Sequence, residues 1–366
     1  MPIIRILIVD YSAPECYYFS VFLPYLFDGT DEVYMIRYRE FLLTVCVLAA
    51  VTCGTGGNGP RVLKCSLILG DNSDWYRGAE KFKELVEELS GGRYAITLYP
   101  HAQLANGVQR TELEMVQSGV IDMSLESSIL LSLIEPRMSV FSMPWMFRYY
   151  SQAHEVLDSA LGRRMLEMLP QKELVGLAYG TNGFRQITNS RSPLREPGDL
   201  KALKIRVPDI RMYIDIFRLL GADPSSMSFG ELFTALAQGT MDGQENPVSV
   251  IYSARLYEVQ KYLTVWNYSY DPIILCMNRT LWESLSPEMQ KLFLDCAGEA
   301  MSYERDLVVR GESALLDSLR ARGMSVHTPG NETLAAFRAL VEPIYDKYAG
   351  EIGVELLRDF RKTLNE

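Results

Sequence analysis

Apolar and polar positions between residues 62 and 125 predict alternating strands and helices. Residues alternate in the manner of a strand from Val62 to Leu69 and again from Tyr94 to Tyr99. Apolar side chains at helical spacing separate these two stretches, and a second helix is expected from about Gln109 to Ser118. A third strand follows from Val120 to Leu125. This β-α-β-α-β order implies parallel strands joined by right-handed crossovers, so we expect an α/β lobe.

The stretch from Leu203 to Asn246 is predicted to form a strand, two helices and a strand. Arg206 lies near the end of the first strand, and Pro208 is placed where the first residue of a helix would be. Ligands of open α/β sheets bind at the carboxyl ends of strands. A guanidinium there offers two parallel donors that match a carboxylate. We therefore hypothesise that Arg206 binds the carboxylate of a small molecule; the alternative is a surface arginine in an ion pair.

The second helix of this stretch has a clear start. Ser228 and Glu231 are spaced as a capping box, in which each side chain bonds to the first turn of the helix. Phe229 is then the first helical residue and is expected at the helix mouth.

A short repeat links the two regions. Residues 117–122 and residues 237–242 both end a helix and begin a strand with the spacing Gly-x-x-Asp, through Gly119 and Gly239. Glycine tolerates the left-handed conformation that terminates many helices. Two lobes built from one unit would explain the match, and coincidence is the alternative.

The last third of the chain is predicted to be mostly helical. Ser286, Pro287 and Glu288 open an apolar-periodic stretch that continues to about Arg320. A helix of roughly 35 residues is about 50 Å long, enough to cross two lobes. A strand from Met324 to His327 and two helices, about residues 332–348 and 350–364, are expected to follow.

Composition limits the class of protein. With 366 residues, 48% apolar and 22% charged, the chain can form two ordinary globular domains. A net charge of −10 and the lack of a basic patch argue against a nucleic-acid partner. The cysteines and histidines are scattered without metal-ligand spacing, so we expect no metal, no cofactor and no cysteine nucleophile.

The first 59 residues are interpreted as a leader. Basic residues and the apolar run from Phe41 to Val51 have the form of a signal peptide, and Gly-rich residues after Cys53 form a tether. The signal, residues 35–52, resembles that of a bacterial lipoprotein, which implies a lipid on Cys53 and a tether over residues 53–59. Cleavage nearby without a lipid, or an uncleaved anchor, are the alternatives. Met35 is the expected true start, so residues 1–34 are assigned no function.

Three segments carry a resemblance to a known family. They are GTNGFRQITNSRSPLREPGDLKALKIRVPD, MSFGELFTALAQGTMDGQENPVSVIYSARLYEVQKYL, and GVIDMSLESS with SMPWMF. From Val62 onward the chain resembles the extracytoplasmic solute receptors of TRAP (tripartite ATP-independent periplasmic) transporters. The resemblance implies an α/β fold of the two-lobe, periplasmic-binding-protein type, with hinge strands and one long helix behind both lobes. Lobe I is expected to contain residues 60–184 and about 272–311, and lobe II residues 185–271 and about 312–366.

The family pattern assigns roles to particular residues. Arg206 matches the carboxylate-binding arginine, Arg185 a second arginine that reaches the same carboxylate, and Asn246 an asparagine that donates to it. Phe229 matches an aromatic that packs on the ligand. Three further positions are implied as lining residues, namely Glu126, Trp145 and Asn72.

The resemblance also implies partners and a location. The chain would bind a small carboxylate in the periplasm and deliver it to TRAP permease subunits, with a lipid anchor at Cys53; a homodimer through the long helix is possible. Two departures from the family lie near the cleft: residues 179–181 read Tyr-Gly-Thr, and Ser228 stands where proline is usual. The ligand therefore stays open between monocarboxylates and dicarboxylates.

Two other classes of function are alternatives to a receptor. An enzyme could use acidic pairs such as Asp122 and Glu126, but the sequence has no P-loop, H-E-x-x-H or G-x-S-x-G motif. A surface-anchored lipoprotein could reuse the receptor fold for adhesion, because fold does not dictate function.

Overall fold

The structure, a computed structural model, describes residues 5–8, 17–20 and 59–364. It divides into two units, Met1–Asn58 and Gly59–Glu366. In the first unit, β1 (Arg5–Ile8) pairs antiparallel with β2 (Tyr17–Ser20). The predicted signal segment and Cys53 lie outside the described residues. Within the described chain, no helix combines the length and apolar character needed to cross a membrane.

The second unit contains one mixed sheet. Its strands are β3 (Arg61–Leu67), β4 (Tyr94–Tyr99), β5 (Met123–Ser127), β6 (Leu174–Asn189), β7 (Lys204–Val207), β8 (Asp223–Ser226), β9 (Gly243–Pro247), β10 (Tyr262–Asn278) and β11 (Ser325–His327). The helices are α1 (Asp74–Leu89), α2 (Gln109–Gln117), α3 (Ser128–Leu131), α4 (Tyr150–Asp158), α5 (Ala160–Leu166), α6 (Arg211–Leu219), α7 (Phe229–Ala237), α8 (Val248–Ser253), α9 (Arg279–Glu283), α10 (Pro287–Ala321), α11 (Asn331–Val341), α12 (Pro343–Ile352) and α13 (Val354–Thr363).

The strand order gives the sheet two halves. It runs β4-β3-β5-β10-β6-β9-β7-β8, and β11 pairs with β10. In the first half β3 is parallel to β4 and β5, as the β-α-β-α-β pattern predicts. In the second half β7 is parallel to β8 and β9. Each half is therefore a small parallel α/β unit.

Two long antiparallel strands join the halves. β6 has 16 residues and β10 has 17, and their pairing has register shifts next to Ser269 and Pro272. One end of β10 pairs with β5, whereas Arg185–Asn189 of β6 pairs with β9. The same two strands thus cross from one half of the sheet to the other, which is the position of the predicted hinge strands.

The short sequence repeat corresponds to a shared local structure. Gly119 and Gly239 adopt left-handed conformations, with φ of 77° and 68°. The carboxylate of Asp122 accepts a hydrogen bond from the backbone N–H of Lys64 at 2.8 Å, and Asp242 accepts one from Lys204 at 2.8 Å. In each half, the aspartate after the glycine ties the helix–strand turn to the neighbouring strand.

The long helix α10 spans 35 residues, as predicted. It begins after Ser286, whose hydroxyl accepts the N–H of Met289 and so caps the first turn. It packs against α1, β6 and α8, with an apolar face that includes Phe293 and Met301. The helix therefore reaches elements of both halves.

Three local predictions were wrong. Pro208 does not begin a helix, because Ile210 is still extended and α6 starts at Arg211. The edge strand β8 has the sequence DPSS, which lacks any strand pattern and pairs only through the backbone of β7. Three C-terminal helices replace the expected two, because Pro343 opens a new helix and Gly353 turns the chain with a φ of 98°.

Candidate ligand-binding site

Arg206 is a buried cation that has no counterion among the described residues. Its side chain near the end of β7 is 2% exposed. Nε and Nη2 both donate to the carbonyl oxygen of Met227, at 3.0 and 2.6 Å. No carboxylate of the described chain forms an ion pair with it. Since a guanidinium carries five N–H donors, both N–H groups of Nη1 and one of Nη2 have no acceptor among the described residues.

The surroundings of Arg206 disfavour its charge. Burial lowers the pKa of Arg206 to about 10, and the nearby guanidinium of Arg185 acts in the same direction, whereas Glu245 opposes them. The side chain is still protonated at neutral pH. A buried, charged and incompletely bonded guanidinium is a strong site for an anion.

Arg185, in contrast, is paired with two carboxylates. It lies in β6 and is 3% exposed. Nη2 donates to the carboxylate of Glu245 at 2.8 Å, and Nη1 donates to Asp271 at 3.2 Å. Burial alone would lower the pKa of Arg185, but the charge and hydrogen bonds of Glu245 raise it well above its usual range. Arg185 therefore ties β6, β9 and β10 together and keeps one N–H of Nη1 for a ligand.

Asn246 and Phe229 complete the group around Arg206. The oxygen of Asn246 accepts a hydrogen bond from Arg185 at 3.1 Å, and its Nδ2 donates to Gln244. Phe229 is the first residue of α7 and is half-buried. The four residues line one cavity of about 40 Å³, so the structure brings together the principal predicted site residues.

The cavity has one polar side and one apolar side. Asn182 and Asp271 lie on the polar side beside Arg185 and Arg206. The remaining wall is mostly apolar and comes largely from the first half of the sheet: Ile68, Leu69, Trp75, Ile129, Leu130 and Val250. A ligand in this cavity would contact both halves.

Glu126 lies away from the cavity. It is 1% exposed on β5, and the cavity lining in the described chain does not include it. Burial raises the pKa of Glu126 well above its usual range, and the charge of Glu112 adds to the effect. Glu112 accepts a hydrogen bond from Ser66, and burial raises its pKa to about 7. The carboxyl groups of Glu112 and Glu126 form a buried acidic pair inside the first half. Contact of Glu126 with a ligand stays a prediction.

Asn72 and Trp145 also have structural partners outside the cavity. Nδ2 of Asn72 donates to the carbonyl oxygen of Ser253 in α8 at 2.9 Å. The indole N–H of Trp145 donates to the carbonyl oxygen of Trp266 at 3.2 Å, within a cluster of aromatic rings. Neither residue is among the described residues that line the cavity. Contact of Asn72 and Trp145 with a ligand stays a prediction.

Gln109 is a cavity residue that the sequence analysis did not identify. It is the first residue of α2, and its side chain has no hydrogen-bond partner in the described part of the chain. It lines both the inner cavity and an outer pocket of about 340 Å³ that shares Arg206 and Pro208. Gln109 could have been found from its place as the first residue of a predicted helix. The same kind of position indicated Phe229.

The two halves contact each other across the cleft. The hydroxyl of Ser228 donates to the carbonyl oxygen of Gly107 at 3.1 Å, and Arg110 pairs with Asp209 at 3.6 Å. The predicted capping box is therefore wrong: Ser228 is the N-cap of α7, but its hydroxyl bonds across the cleft and not to its own helix. These contacts describe a closed arrangement.

Metal binding has no support in the described residues. Their histidine, cysteine, aspartate and glutamate side chains form no group of three that could hold a metal ion. Cys65, Cys276 and Cys296 are free and buried.

Comparison with known proteins identifies the family. Residues 65–351 match the model of the bacterial extracellular solute-binding protein, family 7. The chain is similar to the 2,3-diketo-L-gulonate-binding periplasmic protein of Escherichia coli (strain K12), with 35% identity over 325 residues, 88% of this chain and 98% of that protein.

Solved structures agree with the sequence match. The sugar acid binding protein of Advenella mimigardefordensis, in complex with galactonate, has a TM-score of 0.81 and 31% identity, covering 84% of this chain and 98% of that one. A TRAP periplasmic solute-binding protein of Sulfurospirillum deleyianum, with bound succinate, has a TM-score of 0.79 and 26% identity, covering 83% and 99%. The predicted two-lobe α/β fold is confirmed. The chain therefore belongs to family 7 of the bacterial extracellular solute-binding proteins, the periplasmic receptors of TRAP transporters.

Proposed function

We propose that Arg206 binds the carboxylate of a small organic acid, and that Arg185 and Asn246 each add a donor to the same carboxylate. The single observation that carries this proposal is the buried guanidinium of Arg206, which faces a cavity and has no anionic partner in the described chain. An anionic ligand supplies the missing partner. Phe229 then covers the part of the ligand next to the carboxylate.

The ligands named for the relatives support an acid. The Escherichia coli protein is named for 2,3-diketo-L-gulonate, and the two solved neighbours hold galactonate and succinate. Each of these molecules carries at least one carboxylate. The receptor would hand such an acid to its membrane permease, which is the role of this family.

Binding requires the cleft to open and close. The closed cavity of about 40 Å³ has room for a few water molecules, whereas pockets for small ligands are typically about 300 Å³ or larger. Rotation of the halves about β6 and β10 would admit the acid. Contacts that the acid makes with both halves then favour the closed state.

The direct test is a search for binding with a library of organic acids. We expect one or more acids to raise the melting temperature and to be recovered unchanged, because a receptor binds without turnover. Mass spectrometry of the denatured, freshly purified protein would identify an acid that copurifies. Conversion of the bound acid would indicate an enzyme, and no response to any acid would favour the structural or adhesive alternative.

We further propose that the chain is anchored to the bacterial membrane by a lipid on Cys53. The support is the sequence alone, in which an apolar run ends at this cysteine and a Gly-rich tether follows. Cys53→Ser should move the protein from the membrane fraction to the soluble fraction. Cys46→Ser, in the apolar run, is the matched control and should leave the distribution unchanged. A Cys53→Ser protein that stays in the membrane fraction would contradict the anchor.

A further inference from the structure

The charges around the cavity cancel before a ligand enters. Among the described residues Arg185 and Arg206 are the two buried arginines, and the carboxylates of Glu245 and Asp271 lie beside them. The carboxylate of Glu245 accepts hydrogen bonds from Arg185 and from the Tyr268 hydroxyl. Asp271 accepts from Arg185, Asn182, Ser127 and Ser128. Every described partner of these two carboxylates is a hydrogen-bond donor. Two carboxylate groups therefore face two guanidinium groups, and the four charges sum to zero.

One ligand carboxylate fits this arrangement. The carbonyl oxygen of Met227 occupies Nε and one donor of Nη2 on Arg206, so the edge formed by Nη1 and Nη2 is free for a two-pronged contact. The remaining N–H groups of Arg185 and Asn246 can share the charge. The buried cluster then carries a single net negative charge, which these donors disperse.

A second ligand carboxylate would meet no cation. The described lining beyond the arginines consists of apolar or neutral side chains together with Asp271. Arg110, at the outer pocket, is exposed and already paired with Asp209. A dianion would bring the buried cluster to a net charge of −2, and an uncompensated buried charge is strongly unfavourable.

Gln109 offers a neutral contact at the far side instead. Its amide lines both the inner cavity and the outer pocket, and it has no partner in the described chain. A primary amide can donate to a keto or hydroxyl oxygen and accept from a hydroxyl group. It adds no positive charge, so it suits a polar but uncharged part of a ligand.

We infer that this receptor is selective for monocarboxylates whose remaining part is uncharged and polar, and that Gln109 contacts that part. The inference rests on the proposed function and narrows its ligand class. Dicarboxylates of the same length are excluded by the missing second cation, not by size.

The test compares acids that differ in one carboxylate. Titration calorimetry at pH 7.5 is carried out on the wild-type chain with three pairs of matched length: succinamate and succinate, D-erythronate and meso-tartrate, and D-galactonate and galactarate. In each pair that binds, we expect the monoacid to bind at least about 30-fold more tightly. A diacid that binds as tightly as its monoacid, or more tightly than every monoacid, would overturn the inference while leaving the carboxylate clamp intact.

A substitution at Gln109 tests whether this residue contacts the uncharged part of the ligand. Gln109→Arg places a cation at the far side, and we expect it to reduce the preference for the monoacid by about tenfold or more. Gln103→Arg adds the same charge at an exposed position of the first half and should leave the preference unchanged. An unchanged preference in Gln109→Arg would overturn the role of Gln109. If no acid of the library binds to the wild-type chain, the receptor function fails and the inference fails with it.

Discussion

Arg206 is held in place by a neutral acceptor, the carbonyl oxygen of Met227, and its charge has no partner in the described chain. Such a cation costs stability in the free protein, because its lost hydration is not replaced by a counterion. The same feature makes it effective for an anionic ligand. At this position a gain in binding is thus linked to a loss in stability.

Replacement of Arg206 should separate binding from stability. We expect Arg206→Met to weaken acid binding by at least about 100-fold, since charge-assisted contacts are lost. The melting temperature of the free protein should be unchanged or higher, because an unpaired buried charge is removed. Calorimetry and thermal unfolding measure the two effects.

Two controls accompany this variant. Arg206→Lys keeps a charge but loses the planar fork, so it should recover only a small part of the affinity. Arg218→Met removes an exposed arginine of α6 and should change neither quantity. Wild-type affinity in Arg206→Met would remove Arg206 from the site.

The buried acidic pair predicts a pH effect. Burial raises the pKa of Glu112 from 4.5 to about 7, so the folded protein binds a proton that the unfolded chain releases between these values. Stability from this group is present below about pH 4.5 and is lost as the pH rises through 7. Glu112→Gln should therefore be more stable than wild type at pH 8 by roughly 1–3 kcal/mol, with little difference at pH 4.5. Urea unfolding at both pH values measures this. An equal effect at both pH values would contradict the assignment.

Sequence and structure agree best where a residue's role is local. The position of Arg206 near the end of a strand and the family pattern together predicted its place in the site. The position of Phe229 at the start of a helix predicted that it also lies there. Gln109 was missed because its role depends on the approach of the first half to the second half, which no local pattern encodes. The two ion pairs of Arg185 were also unpredictable, since Glu245 and Asp271 reach it from two other strands.

At the scale of elements, Ser228 connects helix α7 to the opposite half. Its hydroxyl donates to the carbonyl oxygen of Gly107, which belongs to the opposite half. Proline, which the family resemblance implies at this position, has no hydroxyl to make this bond. In this chain the N-cap of α7 therefore contributes to closure.

Removal of that hydroxyl should weaken ligand binding modestly. We expect Ser228→Ala to reduce acid affinity by about 3- to 10-fold, the effect of one hydrogen bond worth about 1 kcal/mol in the closed state. Ser225→Ala, at an exposed position of β8, is the control. An affinity equal to wild type in Ser228→Ala would show that the cross-cleft bond does not contribute to closure.

The elements that the sequence predicted well are those with long, regular patterns. The 35-residue helix α10 and strand β4 follow the expected bounds closely, whereas β5 spans Met123–Ser127 and not the expected Val120 to Leu125. Strand β8 has only four residues and no apolar pattern, so backbone pairing with β7 determines it. The helix after Pro208 starts later than expected because Ile210 is still extended and is the N-cap of α6.

At the scale of the whole molecule, two parallel half-sheets are joined by two shared strands and supported by α10. The ligand cavity lies between the halves, and residues from both halves line it. We expect an acid that binds to shift the population toward the closed state. In small-angle X-ray scattering, this acid should reduce the radius of gyration of the wild-type chain, and the same acid should leave that of Arg206→Met unchanged. A wild-type chain whose radius does not respond to a bound acid would contradict ligand-linked closure.

The most direct test of the central claim is a crystal structure of the chain with the acid that stabilises it most. We expect the ligand carboxylate to lie within hydrogen-bond distance of Nη1 and Nη2 of Arg206, and the rest of the acid to lie against the apolar wall of the first half. A carboxylate bound elsewhere, with Arg206 still bonded only to the carbonyl oxygen of Met227, would contradict it.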